Sequence, residues 1–207
     1  VIAVPPWCSY WRDAAAVGEG GWDIVTIEAV RPHLRRRGVA LDGGAHVGTW
    51  SRVLATDFAR VVAVEPAPEN AALLRQNTAH LPGVDVVEAA LGSAPGETRV
   101  ALVATQGVNS GQYAVGEIGR PVPMVTIDGL GLAGLGLIKL DLEGYELPAL
   151  RGAVATLRRE RPVVVVEDLG WERLHGLPVG GAAAFLRGLG YRVAARSGSD
   201  LILIPEG

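Results

Sequence analysis

A parallel α/β sheet covered on both faces is the architecture predicted by this 207-residue chain. Short β-branched runs alternate with helical patterns along most of its length, which is the signature of strand–helix crossovers. The runs are apolar without interruption, as in "RPVVVVE" and "LGLIKL", which marks strands buried on both sides. One stretch, residues 97–128, breaks this rhythm: it has two β-rich runs and no helical periodicity, and it reads as a β insertion before the fourth parallel strand.

In chain order, "GVALDGG" is the first strand and Val47–Asp57 the helix after it. "RVVAVEP" is the second strand, followed by a helix over Pro68–His80 with Leu73 and Leu74 on its apolar face. "VDVVEAAL" is the third. The insertion then supplies "TRVALVAT" and "VPMVTID", a hairpin-like addition whose loop contains Asn109, Ser110 and Gly111, close to the mouth of the site. "LGLIKLDLEG" is the fourth parallel strand, with a helix over Tyr145–Arg159, and "RPVVVVED" is the fifth. A helix near Gly181–Leu189 and the strands "YRVAAR" and "DLILIP" end the chain.

The length suits one domain, and 49% hydrophobic with 20% charged residues reads as a soluble globular protein. A net charge of −3 gives no electrostatic reason to expect nucleic acid. The basic run Arg35–Arg37 reads as a helix-end cap, where cations are favoured. The single cysteine, Cys8, excludes an internal disulfide and a cysteine-based zinc site and fits a reducing, cytoplasmic location. No apolar run approaches the roughly 20 residues that span a bilayer, and "VIAVPPWCSYW" lacks the basic start of a signal peptide. No membrane association is expected.

The turn after the first strand carries the chemistry. Asp42-Gly43-Gly44-Ala45-His46-Val47-Gly48 does not accommodate G-x-G-x-x-G, and no Gly-Lys-Ser/Thr follows to make a P-loop. Asp42 would repel a pyrophosphate but would suit an ammonium group. Glu65, ending the second strand in "AVEP", can accept both hydroxyls of a ribose. A ribose, an amino-acid end and no phosphate describe S-adenosylmethionine.

Six stretches, "VALDGGAHVGTWS", "VVAVEPAPENAALLRQN", "VVEAALGSAPGE", "VPMVTIDGL", "LGLIKLDLEGYELPALRGA" and "RPVVVVE", together resemble the FkbM-type methyltransferases, a branch of the class I S-adenosylmethionine-dependent enzymes. The resemblance runs from Val39 to Glu167 and leaves residues 1–35 and 170–207 to shape substrate choice. It implies a Rossmann-like seven-stranded sheet with its last strand antiparallel. It also implies cofactor contacts at Asp42, Gly43, Gly44, Ala45, Gly48 and Glu65, with Ala89 and Ala90 bordering the adenine. His46, where the family often carries Asn, is a further candidate for this pocket. The domain organisation expected is a lid or cap over residues 1–35 and a class I methyltransferase domain over 36–207.

Ligands of open α/β sheets bind at the carboxyl ends of the strands, and acids gather there: Asp141 and Glu143 in "IKLDLEGYE", Glu167 and Asp168 in "VVVVED". Two readings follow. In one, Asp141, Glu167 and Asp168 hold Mg²⁺, which would lower the pKa of a bound hydroxyl. In the other no metal binds, and Asp141 or Glu143 orients the acceptor or takes its proton, with Asp141 also near the cofactor. Glu143 could instead hold the start of the next helix. Lys139 is expected to enter a sheet–helix layer or pair with an acid, and His175 is a candidate to reach the pocket. Trp7, Trp11, Trp22 and Trp171 are candidates for a lid. The reaction implied by the resemblance is O-methylation of a hydroxyl on a sugar or secondary metabolite, a small-molecule acceptor. A nicotinamide-dependent oxidoreductase and a non-catalytic binding domain are the alternatives, the first weakened by the missing G-x-G-x-x-G.

Overall fold

Residues 2–5, 23–102 and 110–207 are described in the computed structural model of the chain. The main sheet contains β1 (Val39–Gly43), β2 (Arg60–Val64), β3 (Val84–Val87), β8 (Leu135–Leu140), β9 (Val163–Glu167), β10 (Tyr191–Ser197) and β11 (Asp200–Pro205). Their order is β10-β11-β9-β8-β1-β2-β3. Only β11, the last strand in sequence, runs antiparallel to its neighbours β9 and β10, as expected. The chain builds outward from β1 through β2 to β3 and then returns to β8 on the other side of β1. That reversal opens a crevice at the carboxyl ends of β1 and β8.

Strand periodicity sends alternate side chains to opposite faces. On one face, Leu41, Val64, Ile138, Leu140, Val164 and Val166 pack with Ala149, Leu150, Ala153, Leu157 and Leu186. The last five come from α4 (Glu146–Arg151), Ala153, α5 (Val154–Glu160) and α6 (Gly181–Gly188). On the other face, Ala40, Val61, Leu137 and Val165 meet Ile27 and Val30 of α1 (Asp23–Val30) and Trp50, Leu54 and Phe58 on and after α2 (Thr49–Asp57). α3 (Pro68–Thr78) covers the β2–β3 margin with Leu74. Each fully buried Leu contributes about 1.5–3 kcal/mol relative to exposure. Helix α1 lies within the segment expected as a cap, yet it carries Ile27 and Val30 into the core. Cys8, Trp7, Trp11 and Trp22 lie outside the described residues.

Three expectations change. The expected third strand divides: Val84–Val87 stays in the main sheet, and Ala90–Leu91, as β4, joins a second sheet. That sheet contains β5 (Gly96–Leu102), β6 (Tyr113–Gly116) and β7 (Arg120–Val125) in the order β4-β7-β5-β6, so the insertion has one more strand than a hairpin. β6 comes from the stretch read as loop. The single helix expected over Tyr145–Arg159 is two, α4 and α5, because Asp128 caps the second from outside. Its carboxylate accepts from the backbone N–H groups of Ala155 (3.1 Å) and Thr156 (2.7 Å). A Cβ on Gly152, at the break, would lie 2.1 Å from the Gly92 carbonyl oxygen. The basic run is spent partly on ion pairs, Arg36 with Glu160 (3.3 Å) and Arg37 with Asp57 (3.0 Å). No helix among the described residues is long and apolar enough to cross a membrane.

Candidate active site

The β1–α2 turn forms the first half of the site. Gly44 has a φ of 70°, and a Cβ there would lie 1.9 Å from the carbonyl oxygen of Asp141. Only glycine lets the turn pack this tightly on the end of β8. Gly48, with φ 96°, leads into α2 against Leu74. Asp42 is fully buried and lies opposite Lys139 in the β1–β8 register. Its carboxylate accepts a 2.6 Å hydrogen bond from Ser51 Oγ and stands 3.3 Å from Lys139 Nζ. The ammonium also donates to the Gly44 carbonyl (2.9 Å). The ammonium beside Asp42 in this structure is the protein's own, and through Ser51 and Lys139 Asp42 organises the turn. Lys139 pairs with an acid, as expected.

Glu65 follows β2 and is 4% exposed. Its two carboxylate oxygens accept from the backbone N–H groups of His46 and Ala67, both at 2.9 Å. Burial pushes its pKa up to about 7 against these hydrogen bonds. His46 is buried, with a left-handed φ of 50°, and its Nε2 lies 2.7 Å from Ser110 Oγ. Burial, and then Lys139, hold its pKa down to about 3, so the imidazole is neutral near pH 7. Ala45 and Ala89 are buried beside this turn and just past β3. Ala90, also buried, packs into the insertion sheet with Val100 and Val122. Residues 2–5 run beside the turn: Asn77 accepts from Ala3 N–H (2.7 Å) and donates to the carbonyls of Ala3 and Val47 (both 2.8 Å).

The second half is the loop after β8. Asp141 N–H donates to the Gly43 carbonyl (3.2 Å), and its half-exposed carboxylate is 3.7 Å from Lys139 Nζ. Glu143 and Gly144 are both left-handed, with φ 53° and 91°. A Cβ on Gly144 would lie 2.4 Å from the Trp171 backbone. The role of holding this helix start, considered for Glu143, belongs to Glu146. Its buried carboxylate accepts from Leu142 N–H (2.7 Å) and Gly144 N–H (3.3 Å), and burial pushes its pKa up to about 7. Burial, then the nearby Asp141 and Glu146, push Glu143 up to about 8. Burial, then Asp141 and Glu143, push Glu167 up to about 9. His175 Nε2 donates to the Glu143 carbonyl (2.9 Å), and its ring meets Tyr145 edge-on with centroids 5.2 Å apart.

Asp141, Glu143 and Glu167 thus feel one another's charge, whereas the Asp168 carboxylate is bound by the Arg196 guanidinium. Among the described residues no three His, Cys, Asp or Glu side chains are grouped to hold a metal ion. The expected Mg²⁺ set of Asp141, Glu167 and Asp168 is not formed, and Asp168 is paired with Arg196. The sequence reading missed Ser51, Glu146 and Asn70, whose Nδ2 donates to the Ser110 carbonyl (2.9 Å), although "VGTWS", "EGYE" and "EPAPEN" contain them.

Residues 42–193 match the family model for the methyltransferase FkbM domain. The chain belongs to this family. No curated protein sequence matches it. A crystal structure of an FkbM methyltransferase from Methylobacillus flagellatus KT is 17% identical with a TM-score of 0.52, aligned over 81% of this chain and 43% of that one. This chain therefore spans less than half the length of that protein. Precorrin-6y C5,15-methyltransferase from Geobacter metallireducens GS-15 is 18% identical over 86% of this chain and 84% of its own, with a TM-score of 0.51. The Streptococcus mutans protein SMU.1697c, in complex with S-adenosylhomocysteine, is 9% identical over 87% and 95% of the two chains, with a TM-score of 0.54. At these identities the likeness is one of fold, and the fold is that of class I methyltransferases.

Proposed function

We propose that this FkbM-family domain transfers the methyl group of S-adenosylmethionine to a hydroxyl of a small molecule, a sugar or secondary metabolite. The observation that carries the cofactor reading is Glu65. Its carboxylate is buried at the carboxyl edge of the sheet, with both oxygens oriented by backbone N–H groups, and each oxygen keeps a lone pair for a ribose hydroxyl. The glycine turn, from Gly43 to Gly48, suits a close backbone approach without phosphate, and Ala89 suits the adenine margin. When bound, the cofactor supplies an electrophilic methyl on a sulfonium.

The acceptor half is the carboxylate loop. Asp141, half-exposed between the two halves, orients the acceptor hydroxyl, and Glu143, in its ionised form, favoured as pH rises through about 8, receives the hydroxyl proton. The remaining work is alignment of acceptor and methyl. The tie from Asn77 to Ala3 and Val47 supports the N-terminal segment as a cap beside the cofactor turn, and a single cysteine suits a cytoplasmic location.

Calorimetry with S-adenosylhomocysteine tests the cofactor reading. The parent binds it, and Glu65→Ala weakens binding by about 1.5–3 kcal/mol, the range for hydrogen bonds to a charged group. Unchanged affinity in that variant removes the ribose assignment. Tight NAD⁺ binding by the parent restores the oxidoreductase alternative.

A further inference from the structure

We propose that Ser110, from the β insertion, is a positioning residue of the cofactor pocket that acts on the ribose-binding Glu65 through His46. The inference rests on the S-adenosylmethionine reading above and adds a residue from outside the Rossmann-like core.

Ser110 is fully buried, and buried hydroxyls and carbonyls take partners. Its partners come from two elements that frame one carboxylate. Its Oγ lies 2.7 Å from His46 Nε2, on the β1–α2 turn. Its carbonyl accepts from Asn70 Nδ2 on α3 at 2.9 Å. His46 in turn donates its backbone N–H to Glu65 Oε2. A chain of contacts therefore runs from the insertion through the imidazole to the oxygen that would accept a ribose hydroxyl.

His46 holds a left-handed backbone conformation, uncommon for a non-glycine residue. The hydrogen bond to Ser110 anchors the side chain that this conformation directs at the insertion. β6 begins just after Ser110, and burial, then the charges of Glu69 and Glu65, raise the pKa of its Tyr113. The insertion thus runs alongside the same carboxylate. Its effect is to keep water from Glu65, and a hydrogen bond to ribose is stronger in that low-dielectric setting. Without the serine hydroxyl, water reaches the carboxylate and the pocket distinguishes ribose hydroxyls less sharply.

The test compares S-adenosylhomocysteine with its 2′,3′-dideoxy analogue by calorimetry in the parent, Ser110→Ala, His46→Asn and the double variant. Asparagine tolerates the left-handed backbone but is too short to replace the imidazole. The parent should prefer the ribose form by at least about tenfold, the scale of one hydrogen bond to a charged group. Each single variant should cut that preference about fivefold, and the double variant should cut it no further. Loss of general packing would weaken both ligands alike and leave the preference intact. Full preference in Ser110→Ala, or losses that multiply in the double variant, overturns the inference. If Ser110→Ala does not fold, full preference in His46→Asn overturns it. A parent that binds neither ligand overturns the cofactor reading and this inference with it.

Discussion

At the β1–β2 end of the crevice, Asp42 meets Lys139 and Ser51, and Glu65 meets two backbone N–H groups. At the β8–β9 end, Glu143 and Glu167 are buried, and the charge of Asp141 raises the pKa of both. The same residue type thus does different work at the two ends: carboxylates held by a cation, a hydroxyl or N–H groups build a rigid acceptor surface, and carboxylates crowded by burial and by one another hold their protons. A ligand that needs fixed hydrogen-bond acceptors suits the first end. An acceptor that must lose a proton suits the second.

The largest expected effect breaks the first end. Lys139→Met leaves Asp42 buried without its cation and should cost about 3–5 kcal/mol of stability in urea unfolding. A cost below about 1 kcal/mol would show that Lys139 does not hold the turn.

A smaller effect of opposite sign sharpens the second end. Glu143 and Glu167 have folded-state pKa values of about 8 and about 9, above the ordinary 4.5. The native state therefore holds extra protons, and their contribution is full below pH 4.5 and lost as pH rises through 8 to 9. His46 runs the other way: with a folded value of about 3 against 6.5, its contribution is present above pH 6.5 and lost as pH falls towards 3. Glu167→Gln should flatten the alkaline decline and raise stability at pH 8 by about 1 kcal/mol, roughly 2–4 °C in melting temperature. A variant less stable than the parent at pH 8 would contradict the crowding of carboxylates.

The smallest expected effect is none. Because Arg196 holds Asp168, EDTA should leave turnover unchanged once an acceptor is in hand. Activity lost in EDTA and restored by Mg²⁺ would return these acids to a metal role.

Much of the frame was legible in the residues. Uninterrupted runs such as "VVVV" reported strands covered on both faces, and the spacing from Asp42 to Glu65 located the two strand ends of the proposed cofactor half. The interval from Glu97 to Asp128 was recognised as β by its lack of helical period. β6 escaped because "YAVG" is too short to show a period of its own and becomes a strand only by pairing with β5. The division of α4 from α5 escaped because its cap, Asp128, lies far from the break in sequence.

The sequence by itself determined the main-sheet strands and the helices between them apart from the division of α4 from α5, the glycine turn and the acids after β8 and β9, because these follow from local periodicity and residue type. Only the tertiary structure decided what each acid does. Register across β1 and β8 puts Lys139 opposite Asp42 and so gives that carboxylate a cation from within the protein. Folding of β10 beside β11 brings Arg196 to Asp168, while Glu167, one residue earlier, is left among carboxylates. A carboxylate's charge depends on which partners arrive beside it, and those partners come from strands tens of residues away.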